Sequence, residues 1–323
     1  MEIDAKTWRA AQRALERAVA LHLDDPNVSH LDLGLRIISS EGNRVEPELA
    51  VRIHVHQKLA GDSFRSFAAR QPRRIFDADR IGFAIDVPQA TYRLHWWWQP
   101  WQVQSERAQF YRELRGGISI SNAESFGFGT LGGKVRDRQT GEEMLLSNWH
   151  VLVGSWFAKP GLSICQPALV DGGSEANAVA AYTRHAMDGN LDAAVAKLNR
   201  ERRLRNEQLE IGAVTGAVAA QLGMKVIKSG RRSGVTRGIV TGVEGYTKQR
   251  YAGMTRIIRD VVHIAPEAPG REISAPGDSG SWWLERSTLR ATGLHFAGSN
   301  NPEFGLALSM PKVLEALNVE IAA

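Results

Sequence analysis

The hexapeptide Pro276-Gly277-Asp278-Ser279-Gly280-Ser281 is where the residue types of this 323-residue chain most directly suggest chemistry. A serine in a tight turn flanked by glycine can attack a carbonyl while the turn's own N–H groups face the bond under attack. Its hydroxyl is a poor nucleophile at neutral pH, so a neutral imidazole must take the proton during attack and return it to the leaving group. A buried carboxylate must then fix that imidazole's tautomer. Candidates for both partners lie upstream. The apolar run Met144-Leu145-Leu146 leads into Ser147-Asn148-Trp149-His150, which places His150 where a strand ends, as a candidate general base. Asn190-Leu191-Asp192 opens a second apolar run, and Asp192 is the candidate orienter. Asp188 competes for that role, but Asp192 directly precedes the strand.

The order His, Asp, Ser resembles that of trypsin-like serine peptidases with the chymotrypsin double-barrel fold. The pattern is similar to an intracellular bacterial group in which Leu-Ser-Asn-x-His-Val-Leu, Asp-Ala-Ala, Lys-Ser-Gly-Arg-x-x-Gly and Pro-Gly-Asp-Ser-Gly-Ser follow one another. Here they stand at 146–152, 192–194, 228–234 and 276–281. Gly-Asp-Ser-Gly alone is a common turn; the ordered set, within residues 115–323, is specific. The resemblance implies a mainly β protein, a chymotrypsin-like double β-barrel preceded by a small α+β domain. It implies a serine endopeptidase that cleaves protein or peptide substrates through an acyl-enzyme, without a cofactor or metal. His150, Asp192 and Ser279 would be its triad. The backbone N–H groups of Gly277 and Ser279 would form its oxyanion hole, because glycine lets the loop turn sharply enough to aim both at one point.

Asp278 needs a partner if its loop is buried. Bacterial enzymes of this fold pair that aspartate with a cation from a hairpin similar to Val226–Gly238, which points to Lys228 or, second, Arg231; the other reading of this basic stretch is a solvated turn. The specificity pocket in this fold is walled by the segment before the nucleophile and by a later strand, here Ile273, Ser274, His295 and Gly298. Glutamyl endopeptidases are similar at Gly293-Leu294-His295-Phe296 and pair that histidine with a hydroxyl residue five positions before the nucleophile, here Ser274. The likeness implies cleavage after Glu or Asp, with a core histidine as the alternative. Ile273 stands where trypsin carries its aspartate, which disfavours Lys or Arg.

The elements that must position these residues are legible in outline. A double barrel takes about two hundred residues, and the chain has more, with 43% hydrophobic content and 31 glycines. We expect an N-terminal α+β domain at 1–100, a linker at 101–115 and the barrels at 116–323. Residues 4 to 23 read as a helix capped by Asp4, with Trp8, Ala11, Leu15, Ala18 and Val19 on one face. Leu31, Leu33, Leu35 and Ile37, then Val51, Ile53 and Val55, alternate as a hairpin around the turn at 39–43, and Ile81, Phe83, Ile85 and Val87 suggest a third strand. The glycines of 117–134 fit the first barrel hairpin and lack a phosphate loop's ending.

The single cysteine, Cys165, lies in an apolar strand-like stretch and excludes an internal disulfide. The N-terminus has no signal-like apolar core and the sequence no long apolar span, so a cytoplasmic protein without membrane contact is expected. The net charge of +5 is spread along the chain, and Glu201 and Glu207 break up the Arg200–Arg205 group, which argues for a solvated loop or helix and against nucleic acid. His54 and His56, with His30 or His95, have metal-ligand spacing, but alternation puts the pair on the polar, exposed face of their strand. The run His95-Trp96-Trp97-Trp98-Gln99-Pro100-Trp101 suggests packing between domains or against a partner. The N-terminal domain could dock an activator or partner. The rival to an enzyme is a protease-fold scaffold that has lost its triad geometry.

Overall fold

The computed structural model describes residues 3–38, 44–58, 78–94, 105–124 and 127–322, with 37, 38 and 44–47 by backbone alone. The turn at 39–43, the stretch from 60 to 77 and the tryptophan run at 95–101 lie outside these. The fold is mainly β, in two large curled sheets that form a chymotrypsin-like double barrel, with a small third sheet beside them. In the C-terminal sheet, six strands follow one another in the order Lys225–Gly230, Trp282–Glu285, Ala291–Asn300, Glu303–Ser309, Met254–Pro266 and Gly234–Tyr251. The last pairs again with the first, closing the barrel. In the other sheet, Glu143–Ser147 lies between Gly133–Asp137 and Ala194–Leu198. At its far end Gly129–Thr130 leads straight back into Gly133–Asp137, which curls the sheet on itself. One continuous apolar core, including Leu145, Trp149, Val195, Trp282 and Phe296, runs through both.

The N-terminal helix, Ala5–His22, is capped by Asp4, whose carboxylate accepts the N–H groups of Lys6 and Thr7. Its buried residues Ala11, Ala14, Leu15 and Ala18 lie on Leu31, Leu33, Val51 and Ile53 of the hairpin Val28–Ile38 and Arg44–Val55. This hairpin continues the C-terminal sheet: Leu31 pairs with Tyr246 and Leu33 with Val243 of the long Gly234–Tyr251 strand. The expected third strand over 81–87 is shorter. Ile81 ends a helical turn, Ala78–Ile81, and the pairing with the hairpin is confined to Ile85–Asp86 and a single bridge from Gln89 to Val55. Around Arg200–Arg205 there is neither a helix nor a merely solvated loop. Residues Leu204–Gln208 form a strand, and Arg202 donates to the carbonyls of Tyr111, Gln166 and Asn177. Those carbonyls need donors once partly buried, and one guanidinium supplies them. Cys165 is fully buried in the Ser163–Cys165 strand. No helix among the described residues is long and apolar enough to cross a membrane.

Candidate active site

Two sheet ends and one turn build the site. Glu143–Ser147 ends at Asn148, which starts the single helical turn Trp149–Leu152 that carries His150. The adjacent strand Ala194–Leu198 is entered from Asp192, and Asn148 Nδ2 donates to the Asp192 carbonyl at 2.7 Å, tying the two ends together. The Asp192 carboxylate is fully buried. One oxygen accepts the backbone N–H of His150 at 3.1 Å; the other lies 2.5 Å from His150 Nδ1. A carboxylate only accepts, so Nδ1 carries the proton and the neutral ring leaves Nε2 as its basic nitrogen. Asp188 is exposed in the turn Met187–Gly189.

The turn that carries Ser279 packs directly against this unit. The Ser279 carbonyl accepts the N–H of Thr130 at 2.7 Å, while Ser147 Oγ donates to the Thr130 carbonyl at 2.8 Å. A Cβ on Gly280 would lie 2.1 Å from Ser147 Oγ, so only glycine allows this approach. The Ser279 hydroxyl donates to the Phe296 carbonyl at 3.1 Å. Gly277 has φ +106°, and a Cβ there would strike the Phe128 ring. Among the described residues, no acceptor takes the N–H of Gly277 or of Ser279.

Asp278 is fully buried between those two donors, and its partners are built for its charge. Lys228 Nζ lies 2.8 Å from Oδ2, the N–H groups of Arg232 and Ser233 reach Oδ1 at 2.8 and 3.0 Å, and Ala275 N–H and the Ser233 hydroxyl reach Oδ2. Burial alone would raise this carboxyl; Lys228 and the hydroxyl outweigh it and hold it far below the usual carboxylate range. Arg231 instead takes Asp171 and lies over the Phe128 ring.

Of the residues expected to wall a pocket, Ile273 and Ser274 are buried. Ser274 Oγ has no hydrogen-bond partner among the described residues. His295 is fully buried, and its Nδ1 accepts the Trp283 indole N–H at 3.3 Å. Gly298 lies on the same strand, opposite Gly305. Sequence reasoning missed three residues here. Glu303 Oε1 accepts the N–H groups of Ile273 and Ser274, at 3.0 and 3.3 Å, and its burial raises its carboxyl. The Tyr251 hydroxyl donates to Asp192 Oδ2 at 3.1 Å, and Trp156, packed at a tilt against Trp149, holds the Tyr251 carbonyl. No local signal marks any of them: Glu303 and Tyr251 arrive from distant strands, and Trp156, close in sequence to His150, acts through its bond to the Tyr251 carbonyl.

The histidines of the N-terminal hairpin are not arranged as expected. His54 is fully buried and lies with His30 and Asp32 in one cluster, while His56 is exposed and bonded to Thr91. The alternation holds, but the polar face is covered by the C-terminal barrel. His54 Nδ1 meets the Tyr92 hydroxyl at 2.8 Å, and that hydroxyl meets His263 Nε2 at 2.9 Å. Desolvation keeps His54 neutral, its pKa lowered to about 3, and lowers His263 too. His30, Asp32 and His54 have metal-ligand spacing. Both Asp32 oxygens, however, are engaged by the Arg52 guanidinium, so a dication would be buried against a cation with one carboxylate for both. The donor set suits an ion pair, not a metal.

No family model matches this chain, and no curated protein does. Solved structures similar to it include a Nocardiopsis protease, 17% identical over 65% of this chain and 100% of that one, at a TM-score of 0.49. A glutamic acid specific serine protease, described as using a histidine triad in substrate binding, is 19% identical over 65% and 100%, at 0.49. A Cellulomonas bogoriensis chymotrypsin is 18% identical over 65% and 98%, at 0.46.

Proposed function

We propose that this chain is a serine endopeptidase in which His150, Asp192 and Ser279 act as the triad. The observation that carries the reading is the His150–Asp192 unit, held by both the ring and the backbone N–H, packed against a serine turn with two unaccepted N–H donors. For attack, the Ser279 hydroxyl turns from the Phe296 carbonyl to His150 Nε2, which takes its proton as Oγ adds to the scissile carbonyl. The N–H groups of Gly277 and Ser279 receive the oxyanion. The imidazolium, stabilised by Asp192, protonates the leaving amine, and water then releases the acyl group by the same route. Lys228 fixes Asp278, and through it the oxyanion donors, without a newly cut N-terminus. We assign 116–323 to the catalytic unit and 1–100 to a supporting unit that could dock a regulator.

The buried Ser274 hydroxyl, without a partner among the described residues, is a donor for a substrate carboxylate, and with His295 as the second residue of that pocket it supports a preference for Glu or Asp on the acyl side. His295 Nδ1 accepts from Trp283, so Nε2 carries the ring proton. The test is digestion of a peptide mixture with mass-spectrometric mapping of cut sites, using Ser279→Ala as the blank. Cuts that need Ser279 and cluster after acidic residues support the full reading. Cuts elsewhere keep the peptidase and reject the acidic pocket; the absence of any Ser279-dependent cut rejects both.

A further inference from the structure

The Ala291–Asn300 strand has two edges, and its partners divide between them. Glu303–Ser309 occupies one edge along its length, from Gly293 opposite Ser309 to Asn300 opposite Glu303. Everything else lies on the opposite edge. Trp282–Glu285 pairs there first, at Ala291 to Leu294. His295 follows, its N–H bonded to the Ser281 carbonyl and its carbonyl to the Gly280 N–H, each at 2.9 Å. Phe296 comes next, with the Ser279 hydroxyl on its carbonyl. Beyond it, Ala297 and Gly298 pair antiparallel with Leu94 and Arg93 of this same chain. Arg93–Leu94 therefore lies on the nucleophile's edge, and its chain direction runs from Gly298 towards Ala297, that is, towards Ser279.

An extended peptide added to a free sheet edge gains main-chain hydrogen bonds in the way a new strand does. The edge beside Ser279 is where a substrate backbone would find them, and Arg93–Leu94 already holds it. We propose, resting on the peptidase reading, that Arg93–Leu94 is a resident strap in the place of the substrate strand, which peptide substrates must displace. The strap is anchored from the N-terminal side. The Tyr92 hydroxyl is held between His54 and His263, and its carbonyl accepts Gln249 Nε2 at 3.3 Å. The N–H of Ala90 bonds the Val55 carbonyl, and the Leu94 side chain packs on the barrel core. The buried polar cluster thus gains a purpose: it fixes the root of the strap. Among the described residues the paired stretch is two residues long, short enough to be displaced without unfolding its anchor. A substrate's apparent affinity is reduced by the fraction of time the strap is open.

A switchable lock tests this on the full chain. Leu94→Cys with Ala297→Cys places two cysteines on directly opposed residues, whose Cβ atoms are about 4.5–5.5 Å apart in such pairs, near disulfide reach. Cys165 is fully buried and does not compete. Oxidation should slow peptide hydrolysis by roughly tenfold or more, and reduction should restore it. A small fluorophosphonate, which needs only the nucleophile and the oxyanion donors, should label Ser279 in both states. In parallel, Leu94→Asp should loosen the strap and lower KM several-fold with kcat unchanged. Equal peptide hydrolysis in the oxidised and reduced forms, with labelling intact, overturns the strap and leaves the peptidase. Loss of labelling in every form overturns the peptidase reading and the strap with it.

Discussion

Lys228→Met keeps most of the side chain's length and removes its ammonium from a pair in which both members are fully buried, 2.8 Å apart. Breaking such a pair strands the remaining charge and costs about 3–5 kcal/mol. Asp278 would keep the N–H groups of Ala275, Arg232 and Ser233 and the Ser233 hydroxyl, so the lower end applies, about 3 kcal/mol. At about 2–4 °C per kcal/mol, the melting temperature at pH 7 should fall by roughly 6–12 °C. The pH dependence gives a second reading. In the wild type the Asp278 carboxyl is held far down, so its contribution is in place above the ordinary carboxylate pKa, about 3.9, and fades only as pH falls below it. In the variant, burial is opposed less and the carboxyl rises, so protonation relieves the variant as pH falls. The gap between the two melting temperatures should therefore narrow from pH 7 to pH 4. Adding Asp278→Asn should recover part of the loss, because no buried charge is then stranded. A variant that melts within about a degree of the wild type at both pH values, against the several degrees expected, would refute the reasoning.

Three further outcomes follow from the site and its support. Tyr251→Phe takes one of three donors from Asp192, where a hydrogen bond to a charged group contributes about 1.5–3 kcal/mol. With one donor gone, Asp192 holds the His150 ring less firmly, so kcat should fall about tenfold or more with KM unchanged; an unchanged kcat contradicts a positioning role. Gly277→Ala forces a Cβ against the Phe128 ring at a positive φ and should cost about a hundred- to a thousandfold in kcat through the oxyanion donors, with turnover near wild type as the contrary result. His54 and His263 are held neutral when folded, so their contribution is full above pH 6.5 and is lost as pH falls below it. The unfolding free energy from urea titrations should drop between pH 7 and pH 5 by up to about 1.4 kcal/mol per pH unit for each histidine, and His54→Gln should flatten that slope.

What could be seen in the sequence was what local chemistry determines. Gly277 and Gly280 announce a turn that no other residue can make, and the polar residue at each strand mouth marks His150 and Asp192. The helix was visible because Asp4 caps it and Ala11, Leu15 and Ala18 share a face. Pairings between distant segments were not visible. The hairpin at Val28–Val55 shows its alternation, but nothing local says that Gly234–Tyr251 will cover its edge or that a barrel will bury His54. Exposure was the natural reading of a polar face, and tertiary packing reversed it. Tyr251 and Glu303 reach the site for the same kind of reason, one from the tip of a long hairpin and the other from the strand paired with Ala291–Asn300. Arg93–Leu94 carries no strand signal of its own; it pairs because Ala297 and Gly298 leave an edge open.

The most direct test of an assembled nucleophile is covalent labelling of the purified chain by a small fluorophosphonate, read by intact mass and peptide mapping. The account predicts one adduct, on Ser279, in the wild type and none in Ser279→Ala or His150→Ala. An unlabelled wild type, or an adduct that persists when Ser279 is replaced, would contradict it.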